Sequence, residues 1–180
     1  MRDKAINFVG ASCVGKTSVI ELIKKSESFA EYEIVDSISR KLLKEGKILP
    51  SFNSIDNQKT IFDAYLKKAH STVPYISDRC LIDVYTFTLT FPKDNRFVQS
   101  EILREARLLE VNEYYLGKIF YFPIYWEVEK DGERMADSER RQQWDKNIRE
   151  ILERDQISYV TVPNVSPIER LQFIKSQLNL

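Results

Sequence analysis

At 180 residues, with 43% hydrophobic and 30% charged side chains, the chain can bury roughly 70% of its unfolded surface in one core, which excludes a disordered protein. Lys plus Arg and Asp plus Glu balance at 27 each, so no global positive field draws it onto nucleic acid or an anionic membrane. Two cysteines and one histidine are too few for a Cys/His zinc site, and no apolar run reaches the roughly 18 residues of a membrane span.

The start, Met1-Arg2-Asp3-Lys4, leads into an apolar stretch too short for a secretory signal, so a cytoplasmic protein is expected. Ala5 to Val9 reads as a strand, followed by a glycine turn and an amphipathic helix from about Lys16 to Lys25. Tyr32 to Asp36 is a second short strand, and Ile38, Leu42 and Leu43 have helical spacing up to a capping Gly46. A long helix is expected from about Ile55 to His70, then a strand over Pro74 to Asp78. Leu81 to Phe91 is rich in strand-forming residues, but it follows a strand directly and Pro92 stops it, so a helix is expected. Phe97 to about Tyr115 is helical, and the apolar Ile119 to Pro123 is a fourth strand covered on both faces. Asp137 or Ser138 caps a charged helix to about Arg154, Tyr159 to Val162 is the fifth strand, and Ser166-Pro167-Ile168-Glu169 is a capping box opening the last helix. Strands alternating with helices predict a single α/β domain, residues 1–180, in which a five-stranded parallel sheet is sandwiched in an α/β/α arrangement.

Gly10-Ala11-Ser12-Cys13-Val14-Gly15-Lys16-Thr17 fits G-x-x-x-x-G-K-[ST] at every fixed position, between an apolar strand and an amphipathic helix. The glycines let the backbone turn tightly so that successive N–H groups face a triphosphate, and the helix adds its positive end. Lys16 would sit between the β- and γ-phosphates of ATP, and Thr17, with Ser18 behind it, would supply a ligand for Mg2+.

The reaction class follows by elimination. The D-x-x-G and N-K-x-D of a GTPase are absent. The third strand ends Asp78-Arg79 rather than in the acidic pair of an AAA+ motor, and there is no Gly-Gly of a shikimate-type kinase. A small-molecule kinase remains. Asp36 ends the second strand, where it could accept the acceptor's hydroxyl proton, and Arg40 follows one helical turn later. Asp78 could hold a magnesium-bound water, with Arg79 on the acceptor. Asp131-Gly132-Glu133-Arg134 with Arg140 and Arg141 could form a basic lid at about 127–145 that neutralises the transferring phosphoryl group. Gln58 could read a base edge, and Tyr65, Trp126 and Trp144 could stack on a ring, although single aromatics are more often core.

GASCVGKT, VDSISRKLL, YISDRCLID and EKDGER, in this order over about residues 5 to 155, resemble the P-loop kinases of the ribosylnicotinamide-kinase-like ATPase family, relatives of the deoxynucleoside and thymidylate kinases. The resemblance implies a nucleoside or nucleotide kinase. It places Asp36 at an acidic position closing the second strand, often Glu in the family, Asp78 and Arg79 at the Asp-Arg after the third, and Asp131, Gly132 and Arg134 at the D-G-x-R. The expected function is transfer of the ATP γ-phosphate to a small nucleoside, nucleotide or ribosyl acceptor, with a homodimer compatible. A polynucleotide 5′-hydroxyl kinase and a nucleotide-dependent switch or assembly ATPase are the competing readings, and the balanced charge disfavours a nucleic-acid groove.

Overall fold

A computed structural model describes residues 4–48, 55–90, 117–127 and 138–180. Among them run β1 (Ala5–Val9), α1 (Lys16–Ile23), β2 (Glu33–Val35), α2 (Ile38–Lys44), α3 (Ile55–Ala69), β3 (Tyr75–Asp78), α4 (Leu81–Leu89), β4 (Lys118–Tyr121), α5 (Ser138–Arg154), β5 (Val160–Thr161) and α6 (Pro167–Leu178). The helix expected over 97–115 and the D-G-x-R segment lie outside the described residues. β2 and β5 are shorter than their sequence patterns by one residue at each end.

The five strands form one parallel sheet in the order β2-β3-β1-β4-β5. β1 pairs with β3 through Phe8↔Asp78 and with β4 through Val9↔Tyr121. All five residues of β1 and all four of β3 are buried, which explains why neither alternates apolar with polar residues: strands covered on both faces need no polar alternation. Helices complete a three-layer sandwich, α1 packing on α6 and the helices α2 to α5 packing in series, α2 on α3, α3 on α4, and α4 on α5. The Phe8 ring meets Phe120 edge-on at 6.0 Å and Phe122 at 5.0 Å, all three fully enclosed, so Phe8→Ala would cost about 3–5 kcal/mol.

One local conflict is settled by side chains. α4 is helical despite its strand-forming residues, and its buried Thr86 and Thr88 hydroxyls are satisfied within the helix, donating to Ile82 O at 2.7 Å and Tyr85 O at 2.6 Å. Asp83 closes its first turn by accepting from Cys80 N at 3.0 Å. α6 begins on the predicted capping box: Ser166 Oγ accepts from Glu169 N at 3.3 Å, and the Glu169 carboxylate accepts from Ser166 N at 3.0 Å. Among the described residues no helix is long and apolar enough to cross a membrane.

Candidate active site

The Gly10–Thr17 loop leaves the carboxyl end of the central strand β1 and enters α1 at Lys16. Two of its glycines are required by shape. Gly10 has φ +153°, and a Cβ there would lie 2.5 Å from Phe122 O. Gly15 has φ +89°, and a Cβ would meet Arg170 Nη1 at 2.7 Å. Lys16 is buried and its Nζ donates to Gly10 O at 2.5 Å and Ala11 O at 2.7 Å. Burial and the neighbouring Arg79 guanidinium lower its pKa to about 7, against the opposing pull of Asp83 and Asp78.

The end of β3 supplies the acids. Asp78 Oδ2 accepts from Thr17 Oγ1 at 3.1 Å, while Asp78 Oδ1 is buried with no hydrogen-bond partner among the described residues. Arg79 holds a left-handed backbone (φ 94°), donates to Gly10 O at 3.1 Å and lies 4.6 Å above the Trp144 ring. Its partner Asp83, at 3.4 Å, is 1% exposed and also accepts from Gly10 N at 3.1 Å. Burial raises the Asp83 pKa, although Arg79, Lys16 and the two backbone donors oppose the rise. Asp83 thus ties the loop to α4. The sequence carries a signal for it, a carboxylate three residues after the helix-capping position Cys80.

One cavity of about 460 Å3 joins the loop residues Ser12 to Ser18 to a second wall holding Arg40, Gln58, Tyr65, Arg79, Phe87 and Trp144. The structure therefore brings together Lys16, Thr17, Ser18, Arg40, Gln58, Asp78 and Arg79, as the sequence suggested. Asp36 does not line it: its carboxylate is two-thirds exposed and paired with Lys24 at 2.8 Å, because the strand stops at Val35 and the chain turns away. The carboxylates that do line the cavity are Glu21, Asp78 and Asp83, and Ser37 and Ser39 stand where Asp36 was expected.

The lid expectation fares differently at each arginine. Arg134 lies outside the described residues, and Arg140 is exposed on α5. Arg141 is 2% exposed and turned away from the cavity: its Nε donates to Ser12 O at 2.9 Å, Nη1 to Trp126 O at 3.1 Å and Nη2 to Cys13 O at 3.5 Å. A guanidinium committed to three carbonyls is a brace of the loop and not an arm free to swing. Arg170, on α6, donates to Val14 O at 2.9 Å and lies 5.1 Å from the Trp126 ring. Nothing in a lone Arg on an amphipathic helix announces such a contact.

The donor set fits a magnesium ion. A hydroxyl (Thr17) beside a carboxylate whose second oxygen is buried and unsatisfied (Asp78 Oδ1) is a hard oxygen pair. Among the described residues no group of three or more His, Cys, Asp or Glu side chains could hold a metal by itself, in keeping with an ion bound largely through phosphate and water.

Comparison with known proteins agrees with this fold. The chain is similar in structure to NadR in complex with NR, at TM-score 0.70 and 14% identity, covering 98% of this chain and 52% of that one. It is similar to deoxyadenosine kinase from M. mycoides with dCMP and dCDP bound, at 0.65 and 17%, covering 97% and 98%. Thymidylate kinase from Candida albicans follows at 0.59 and 12%, covering 99% and 92%. The chain thus spans about half the length of the NadR chain but nearly all of the two kinases, and at these identities the likeness is one of fold. No curated protein sequence matches. Residues 5–170 match the family described as AAA domain. That name belongs to a class the sequence reading set aside in its motor form, on the ground that β3 ends Asp78-Arg79 in place of an acidic pair. With the match spanning nearly the whole chain, and with the phosphate loop and parallel sheet in place, this protein belongs to the AAA-domain family of P-loop proteins.

Proposed function

We propose that the chain is a magnesium- and ATP-dependent kinase whose acceptor is a nucleoside, nucleotide or related ribosyl compound. The observation that carries this reading is the position of the unsatisfied atoms. Of three buried side-chain polar atoms without a partner among the described residues, Ser12 Oγ and Asp78 Oδ1 belong to residues lining the same cavity. Such groups cost about 1–3 kcal/mol each unless something meets them, and a triphosphate with its cation would meet both.

In this reading the loop amides and Lys16 hold the β- and γ-phosphates, and Thr17 and Asp78 would hold magnesium. When bound, the ion would supply positive charge that offsets the charge developing on the transferring phosphoryl group. Arg79, fixed by Asp83 and the Trp144 face, directs its positive charge at the junction of donor and acceptor. Trp126 is 40% exposed and lies 3.6 Å from a Cβ built on Gly15, so its ring offers the ATP base a stacking surface beside the loop. Across the cavity, the Gln58 amide, the Arg40 guanidinium and the Tyr65, Phe87 and Trp144 rings suit a second ring-bearing, polar molecule. The NadR, deoxyadenosine kinase and thymidylate kinase likenesses support an acceptor of that kind.

The test is ADP release with magnesium against a panel of nucleosides, deoxynucleosides, nucleoside monophosphates and ribosyl compounds. One class of acceptor should raise the rate at least about tenfold over hydrolysis. A slow rate indifferent to every acceptor would sink the proposal and favour a switch ATPase.

A further inference from the structure

Every carbonyl from Gly10 to Val14 is held by a cationic side chain. Gly10 O accepts from Lys16 and Arg79, Ala11 O from Lys16, Ser12 O and Cys13 O from Arg141, and Val14 O from Arg170. A peptide unit points its N–H and C=O in opposite directions, so fixing a carbonyl outward fixes the next amide inward. The loop needs such a restraint: Cys13 is held in the left-handed region (φ 57°), which a residue with a Cβ rarely adopts. Lys16 and Arg79 line the cavity and would be drawn toward phosphate, whereas Arg141 and Arg170 do not line it. They reach the loop from α5 and α6, 2% and 3% exposed, with contacts across more than 120 residues of chain.

We propose that Arg141 and Arg170 are positioning residues of the phosphate loop, bracing the Ser12, Cys13 and Val14 carbonyls so that the loop amides stay turned toward the phosphates. The proposal rests on the reading that this loop binds nucleotide phosphates. Their role differs from that of a lid arginine because their guanidiniums are spent on the loop carbonyls, outside the cavity lining. They set the geometry that other groups use.

The experiment compares the full-length protein with Arg141→Lys and Arg170→Lys. Lysine keeps the charge and most of the packing volume but loses the forked donor geometry. Two quantities are read: the Kd for magnesium tripolyphosphate and for MgATP by calorimetry, and the 15N order parameters of the Cys13, Val14 and Gly15 amides without nucleotide. Each variant should raise both Kd values about tenfold or more, the size of a lost charge-assisted hydrogen bond, and lower those order parameters. The Arg170→Lys effect should centre on the Gly15 amide and the Arg141→Lys effect on the Cys13 and Val14 amides. KM for the acceptor should stay within about twofold, which a general loss of fold would not permit. Folded variants with unchanged Kd and unchanged loop order would overturn the proposal. If Arg141→Lys does not fold, Arg170→Lys, which touches one loop carbonyl, decides alone. If the wild-type protein binds no phosphate at all, the nucleotide reading fails, while the order parameters still judge the brace.

Discussion

Lys16 is buried beside Arg79, and its pKa of about 7 means that near neutrality the loop holds it only partly charged. A triphosphate set against its ammonium would restore the ordinary value near 10.5 or exceed it, a coupling of about 5 kcal/mol between nucleotide and proton. Binding must therefore take up a proton at any pH between those values, and affinity must fall as pH rises. At pH 8 the uptake should be most of one proton per ATP bound, and between pH 7.5 and 9.5 the Kd should rise more than about tenfold. The nucleotide's own last proton leaves near pH 6, so it does not confuse this window. Calorimetry of MgATP binding in two buffers of different ionisation enthalpy counts the protons directly, and Lys16→Met should bind more weakly and take up none. Binding with no proton uptake at pH 8 and a Kd flat to pH 9.5 would refute the burial argument.

The same group affects stability. Its folded pKa lies below its unfolded one, so the unfolded chain binds more protons and the nucleotide-free protein should melt higher as pH rises from about 7 to 8.5. Above that, Cys80, whose thiol is pushed up by burial, opposes the trend because its ionisation favours the unfolded chain. Thermal melts in matched ionic strength check both signs. Asp83→Asn removes one acceptor from the Gly10 N, Cys80 N and Arg79 set, and should lower stability by about 2–4 kcal/mol by denaturant titration. Asp36→Asn should change kcat by less than about threefold, since its exposed pair with Lys24 lies outside the cavity wall. Trp126→Ala should raise KM for ATP about tenfold and leave acceptor KM unmoved, if stacking is its part.

The phosphate loop and the parallel sheet were legible because each rests on local rules. Glycine spacing sets the loop, apolar-rich runs without alternation mark the strands covered on both faces, and a capping box opens α6. Even α4 could be read as a helix, since a strand cannot directly follow another strand along the same line without a turn. The failures share a different cause. Asp36 was judged by its place after a strand, but whether a carboxylate faces a cleft or a neighbouring lysine depends on where the chain turns, and Lys24 is a contact between elements. Arg141 was read as a lid group because it sits in a charged stretch, yet it is buried on the loop carbonyls. Arg170 lies 156 residues from Val14, and no spacing rule joins a helix arginine to a peptide carbonyl at that separation.

The central claim is that this loop and this cavity serve phosphoryl transfer to a small ring-bearing acceptor, and the destination of the γ-phosphate tests it most directly. ATP labelled at that phosphate, incubated with magnesium, the panel of acceptors, and wild-type or Lys16→Met protein, should place the label on one nucleoside-type acceptor. The variant should lose about a hundredfold or more of that rate. Label appearing only as inorganic phosphate with every acceptor, at a rate Lys16→Met shares, would contradict the account.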